Sequence, residues 1–345
     1  MSIQDVAKQA KVSVATVSRV FNLPDKVTAA TRQRVEKVAN KLGYVANASA
    51  RTLRTQRSRV LGVVLPTLLN PVFAECLSGI ASGATMAGYA ILPVTTDYEL
   101  AQEDRAVNLL LAGNVDGMIL VVSNPATSKA LQRLQAAGVA YALAYNRHPD
   151  HPCVSVDSEA AVSSVVTRLA SLGHMRITLV TGQLAASDRA QQRVRGYQQA
   201  VASLKLKNTH VLEVPFVASA VEQICRLLKQ PQRPTALICS NDLLAIRCLR
   251  AASLAGLKVP GDISVVGFDG IALGEDLSPM LSSVTQPNSG IGRRAVELLV
   301  QAVSSGKPLQ PGASVVLPHG FRQGESFAAP PAKLIKTKKF SANKA

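Results

Sequence analysis

A chain of 345 residues with 47% hydrophobic content can bury more than one core, so two or three domains are expected. No apolar run is long enough to span a membrane, and the N-terminus lacks the charged-then-apolar pattern of a secretory leader. The net charge of +16 points to an acidic partner, and five scattered cysteines without a C-x-x-C argue against a disulfide framework or a zinc site and for buried thiols in a reducing cytoplasm.

The charge is unevenly placed. Up to Arg59 there are twelve Lys and Arg against Asp5, Asp25 and Glu36; from Lys333 onward there are five lysines and no acid. The long middle is nearly neutral. Within the basic N-terminal stretch, two short amphipathic segments are predicted on either side of a break at Ala10-Lys11-Val12-Ser13. The first, over 3–9, turns Val6, Ala7 and Ala10 to one face. The second, over 14–21, turns Val17, Val20 and Phe21 inward and leaves Val14, Ala15, Ser18 and Arg19 outward. Ser13 is the expected N-cap of the second helix, and Thr28 that of a third carrying Val35, Val38, Ala39 and Leu42. Two helices across a tight turn, closed by a third, make a helix-turn-helix. Its basic outer surface is an electrostatic footprint for phosphate.

These residues also carry a resemblance. IQDVAKQAKVSVATVSRVFN, followed by TRQRVEKVANKLGYVANASARTLRT, closely resembles the DNA-binding headpiece of the LacI/GalR family of bacterial repressors, and the rest of the chain fits that family to about Gly324. The resemblance implies that Val14, Ala15 and Arg19 face base edges in the major groove, while Thr16, Ser18 and Asn22 hold phosphates. It implies a hinge helix over 46–55, formed when two copies meet on DNA. Asn47 and Arg51 would contact DNA there, and Leu53 would wedge between base pairs in the minor groove. Arg is suited to guanine O6 and N7, and a leucine wedge kinks the duplex. Two positions depart from the family pattern. Lys11 stands where Gly or Asn is usual, residues that tolerate a left-handed backbone, and Ala46 replaces a common Pro.

From Val60 onward, short apolar runs alternate with amphipathic stretches. Strands are predicted over 61–65, 89–94, 117–122, 139–144, 176–180, 211–214, 236–239 and 264–268, and helices over 71–87, 99–112, 159–172, 190–204 and 243–255. Such alternation predicts parallel sheets covered on both faces. A break near Asp157 divides them into two lobes, the periplasmic-binding-protein-like α/β architecture that the resemblance also implies. The expected domains are a helix-turn-helix headpiece at 1–45, a hinge at 46–59 and an N-lobe at 60–157 plus about 287–318. A C-lobe at 158–286 plus about 319–330 and a basic tail at 331–345 complete the chain.

A ligand is expected between the lobes, at the carboxyl ends of strands. Polar residues stand there: Asn70 after the first strand, Asp97 and Tyr98 after the second, and Asn146 and Arg147 after the fourth. Asp188, Arg189 and Arg193 follow the fifth, Asn241 and Asp242 the seventh, Asp269 the eighth, and Gln286 precedes a proline. Asp accepts hydroxyls, Arg donates and Asn does both, while Phe73 or Phe268 would stack on a ring. Asp242, opening a helix, reads better as a cap, and Asp269 in Phe-Asp-Gly could be a turn residue. The resemblance places Arg193, Asn241 and Asp269 at effector-contacting positions, with Asn146 where Asp is common. The effector set is therefore Asn70, Phe73, Asp97, Asn146, Arg193, Asn241, Asp269 and Gln286.

His148, Asp150, His151 and Cys153 fit no strong zinc spacing, nucleotide-binding glycine fingerprints are missing, and no nucleophile elbow is present. No metal, no cofactor and no enzymatic activity are expected. The reading is a cytoplasmic homodimer or tetramer that represses a carbohydrate-utilisation operon from a near-palindromic operator, controlled by a sugar or sugar acid. Leu68, Leu69, the helix from Pro71 and residues 109–111 offer apolar surface for a dimer seam, with core burial as the competing account. A phosphosugar or purine effector, or a ligand-binding protein without gene control, are the alternatives.

Overall fold

The structure, a computed structural model, describes residues 1–44, 57–207, 209–215 and 220–331. It divides into two compact units, Met1–Arg59 and Val60–Ala345.

The first unit is built from α1 (Ile3–Ala10), α2 (Val14–Asn22) and α3 (Ala29–Leu42). Ser2 and Asp5 cap α1 reciprocally: the Ser2 hydroxyl accepts from the Asp5 amide, and the Asp5 carboxylate accepts from the Ser2 amide at 2.8 Å. The helix stops because Lys11 adopts a left-handed conformation, φ 53° and ψ 48°, so a lysine holds the position where glycine would be easier. The strain is on the order of 1 kcal/mol. Ser13 caps α2 by accepting from the Thr16 amide at 3.1 Å. Thr28 occupies the N-cap position of α3, but its hydroxyl bonds Thr31 Oγ1 at 3.0 Å instead of a backbone amide. The expected cap is thus right in place and wrong in chemistry. Val6, Ala10, Val17, Val20, Val35 and Ala39 form the small core, with Phe21 and Tyr44 packed against it, their rings tilted to each other at 5.8 Å.

The second unit contains two six-stranded sheets with the same winding. The first has the order β11 (Val315–Leu317), β5 (Cys153–Val156), β4 (Ala140–Ala144), β3 (Gly117–Leu120), β1 (Val60–Leu65), β2 (Ala90–Thr95). The second has the order β12 (Gly320–Arg322), β10 (Ser282–Thr285), β9 (Ser264–Asp269), β8 (Ala236–Cys239), β6 (Ile177–Thr181), β7 (His210–Glu213). All pairings are parallel except β10 with β12. In register, Gly62 of β1 stands between Leu92 and Met118. Interior strands such as β1, β3, β8 and β9 are buried on both faces, which explains their unbroken apolar runs.

Helices cover the sheets: α4 (Pro71–Met86), α5 (Leu100–Ala112), α6 (Lys129–Ala136) and α11 (Asn288–Ser305) belong with the first, α7 (Ser158–Ser171), α8 (Asp188–Ser203), α9 (Val221–Leu228) and α10 (Asp242–Leu254) with the second. The chain leaves the first sheet after β5, where Asp157 caps α7. It returns after β10 through α11, which packs on α4, and leaves again between β11 and β12. A Cβ on Gly79 would overlap the Ser289 carbonyl, and one on Gly292 the Cys76 carbonyl. Those two glycines therefore let α4 and α11 approach closely.

Four short strands, β5, β10, β11 and β12, and three helices, α6, α9 and α11, were not foreseen. Strands of three or four residues, including the polar SSVT of β10, have no periodicity of their own. Of the triplet 109–111 offered as dimer surface, Leu109 is exposed but Leu110 is fully buried core. No helix among the described residues is long and apolar enough to cross a membrane.

Candidate functional site

In the first unit the outward face of α2 carries Val14, Ala15 and Arg19, all exposed, while Val17 and Val20 are buried beneath. Thr16, Ser18 and Asn22 are half-buried along its edge. Thr16 shares a 2.9 Å hydroxyl bond with Ser13, and the Asn22 amide donates to the Ser18 carbonyl at 2.7 Å. Arg19 makes no ion pair among the described residues, whereas Arg32 is matched by Glu36 at 2.9 Å. The face thus combines small apolar groups, an open guanidinium and flanking hydroxyls. Asn47, Arg51 and Leu53, with the rest of the expected hinge, lie outside the described residues, as does the basic tail from 332.

In the second unit a narrow cavity, with about 30 Å³ of open room, is walled by the carboxyl ends of strands from both sheets. Asn70 caps α4 just beyond β1, its Oδ1 accepting from the Val72 amide at 3.3 Å. Phe73, one turn on, meets Tyr145 edge to face at 5.8 Å. From the other side come Arg193 on α8, Asn241 after β8 and Asp269 at the end of β9. Gln286 follows β10 where the chain leaves the second sheet.

Arg193 is the centre of that wall. Its guanidinium lies 3.7 Å over the Phe268 ring, Nη1 donates to the Ser240 carbonyl, and Nη2 is 3.6 Å from Asp269 Oδ1. Its Nε is buried without a hydrogen-bond partner, and so is the Ser240 hydroxyl. Asp269 also accepts from Gln286 Nε2 at 2.9 Å and holds a φ of 114°, a costly value for a side-chain-bearing residue. Burial pushes its carboxyl up to about 8 despite the pull of Arg193. Arginine keeps its charge in such settings, so the carboxyl is the group that yields.

Six of the eight expected effector residues line this cavity: Asn70, Phe73, Arg193, Asn241, Asp269 and Gln286. The other two do not. Asp97 is exposed in a left-handed turn, φ 49°, and it is the adjacent Tyr98 that reaches the wall. Asn146 is fully buried behind the cavity. Its Nδ2 donates to the Val122 carbonyl at 2.8 Å and to Asp188 Oδ1 at 2.6 Å, bridging an element of each sheet's lobe. The Asp188 amide donates to Ser123 O, and Arg189 Nη1 to Val122 O, both at 2.8 Å, completing that bridge. The cap at α10 is also reassigned. Asn241 Oδ1 accepts from the Leu244 amide at 2.8 Å, whereas Asp242 reaches back to the Ile271 amide at 2.8 Å and the Ser283 hydroxyl at 2.6 Å. Burial raises Asp242 to about 6.

Tyr98 and Arg189, noted in the sequence as strand-end polar groups, do line the cavity; Tyr145, Ser187 and Ser240 were missed. Ser187 carried a readable signal, since a Ser before Asp is an N-cap pattern, and its Oγ accepts from the Ala190 amide at 3.2 Å. A wider, open hollow of about 540 Å³ lies beside Arg147 and Arg195, but Asp157 and Glu159 already match these cations at 2.9 and 2.8 Å.

Residues 2–47 match the model of the bacterial regulatory proteins of the lacI family, and residues 166–327 that of the periplasmic binding protein-like domain. Catabolite control protein A of Priestia megaterium is 33% identical over 94% of this chain and 98% of its own. The chain belongs to the LacI family. Among solved structures, the lac repressor dimer bound to operator and the anti-inducer ONPF is 27% identical with a TM-score of 0.84, covering 95% of this chain and 99% of that one. A complex of the transcriptional regulator CelR with cellobiose is 26% identical with a TM-score of 0.70, covering 95% and 100%. This LacI-family protein is therefore a DNA-binding transcriptional regulator with an effector-binding domain, and its family is one of regulators, not enzymes.

Proposed function

We propose that the protein represses a carbohydrate-utilisation operon in the cytoplasm, as a dimer on a near-palindromic operator, with its grip controlled by a sugar or sugar acid in the cleft. The observation that carries this reading is the cavity walled by strand ends of both lobes. A ligand there touches both lobes at once, so it binds one lobe arrangement more tightly and shifts the balance between two states. A few kcal/mol of such coupling suffices for a switch. The cellobiose complex of CelR supports a carbohydrate, and the two wall faces suit one: Phe73 for a ring, Asp269 and Arg193 for its hydroxyls.

On DNA, Val14, Ala15 and Arg19 read base edges, and Thr16, Ser18 and Asn22 hold phosphates. Asn47, Arg51 and Leu53 act from the hinge at 46–59, between the headpiece at 1–45 and the lobes. Two headpieces are needed because a symmetric operator is read by a symmetric protein. Leu69 before α4, Met86 at its end and Leu92 on the edge strand β2 are exposed at 83%, 76% and 42%. A second copy covering that edge fits both this apolar surface and the dimeric state of the lac repressor structure. Fluorescence anisotropy on an operator selected from genomic fragments tests the whole. Affinity for the selected site should exceed that for scrambled duplex, and should change with a carbohydrate ligand. A response that stays flat across a broad carbohydrate panel would sink the switch.

A further inference from the structure

The cavity wall is unevenly stocked with donors and acceptors. Three of its acceptor atoms already serve the protein: Asn70 Oδ1 the Val72 amide, Asn241 Oδ1 the Leu244 amide, and Asp269 Oδ1 the Gln286 side-chain amide. Two of its donors do not: Arg193 Nε and the Ser240 hydroxyl are buried and unpartnered. A second guanidinium, Arg189, stands in the same wall, and both of its hydrogen bonds are made by Nη1. Asp188, its ion-pair partner at 3.0 Å, is outside the lining and is also taken by Asn146 and Gln192. Among the residues of this lining, Asp269 is therefore the one carboxyl group beside two guanidiniums.

A hydroxyl brings one hydrogen for every oxygen it offers, whereas a carboxylate only accepts. A neutral polyol must find an acceptor for each of its own hydroxyl hydrogens as well as fill those donors, and each hydrogen left buried without a partner is expensive. An anionic acceptor satisfies the open guanidinium edge with the stronger, charge-assisted bond. Burial, which keeps Asp269 largely protonated at neutral pH, further lowers the repulsion an anion would meet.

We propose that the effector is a sugar acid, its carboxylate seated on Arg193 Nε and the Ser240 hydroxyl with Arg189 alongside, and its ring against Phe73. This rests on the carbohydrate reading above and narrows it. The selectivity comes from the pairing of Arg189 with Arg193 in one wall, so Arg189 sets the preference for acid over neutral sugar.

Calorimetry on the full-length protein at neutral pH, with matched pairs, tests it: glucuronate against glucose, and galacturonate against galactose. One acid should bind at least about tenfold more tightly than its neutral partner. Arg189→Gln should collapse that ratio, and Arg189→Lys should restore most of it, with circular dichroism reporting that each variant is folded. A neutral sugar binding as well as or better than its acid overturns the acid assignment and leaves the carbohydrate reading standing. Glucose 6-phosphate binding more tightly than every acid overturns the carboxylate in favour of a phosphate. No binding by either member of any pair overturns both readings. A ratio unchanged in a folded Arg189→Gln removes Arg189 from the account.

Discussion

The headpiece and the cleft treat charge in opposite ways. On α2 the outward face is exposed and Arg19 makes no ion pair among the described residues, so its charge can meet a polyanion at almost no desolvation cost. In the cleft Arg193, Arg189 and Asp269 are all buried, and each is fixed by neighbours before any ligand arrives. The difference matches the tasks. DNA offers a dense row of phosphates to a surface that can be rinsed by salt, whereas a small ligand needs a few pre-aimed groups in a dry wall.

If that contrast is right, the two surfaces should fail independently. The largest effect is expected from Arg193→Met, which should abolish the thermal shift and the operator response to ligand while leaving operator affinity without ligand nearly unchanged. Loss of DNA binding together with ligand binding, in a folded variant, would contradict the division. Arg19→Ala should do the reverse. Specific operator affinity should fall by roughly 10- to 100-fold, the worth of one good base contact. The ligand shift should survive, and an equal fall on random duplex would mean that Arg19 holds phosphate, not bases.

A smaller effect should appear in stability against pH. The Asp269 carboxyl is raised to about 8 from an ordinary value near 4, so between those limits the folded chain holds a proton that the unfolded chain has lost. Stability therefore falls as pH rises through that window and levels off above about 8. Arg193 and Gln286 favour the ionised form, while Asp242 and Glu75 oppose it, and burial outweighs them all. Asp269→Asn should remove this share of the slope, so its Tm relative to the parent should improve by several degrees between pH 5 and 9. Differential scanning calorimetry across that range checks it; a constant offset would be inconsistent with a raised carboxyl. The smallest change is expected at Lys11, where Gly relieves a left-handed lysine but loosens the unfolded chain. Lys11→Gly should stabilise the headpiece by less than about 1 kcal/mol by denaturant titration, with α1 and α2 unaltered in circular dichroism.

Much of the headpiece was readable in advance because its information is local. A 3.6-residue period assigns Val17 and Val20 inward and Val14, Ala15 and Arg19 outward without any knowledge of the rest. The cleft was readable only to the extent that strand ends can be found. Asn70 and Asn241 stand just beyond apolar strands and Asp269 at the end of one, and all three line the cavity. Asp97 and Asn146 also follow strands, yet one turns to solvent and the other disappears beneath the wall. A left-handed turn of a single residue decides between Asp97 and Tyr98, and no periodicity records it. Tyr145 was missed for the same reason: with φ 64° it swings under Phe73 while its neighbour Asn146 bridges the lobes.

From the amino-acid order alone came the helix-turn-helix, its outward face, the alternation of strands and helices, and the family to which they belong. Those features depend on neighbours within a turn or two, or on a residue's own propensity. The tertiary structure decided the short strands β5, β10, β11 and β12, the close approach of α4 and α11 at Gly79 and Gly292, and the membership of the cavity. Each of these joins residues far apart in the chain, and only the packing of two sheets brings Arg193, Asp269 and Phe73 within reach of one small molecule.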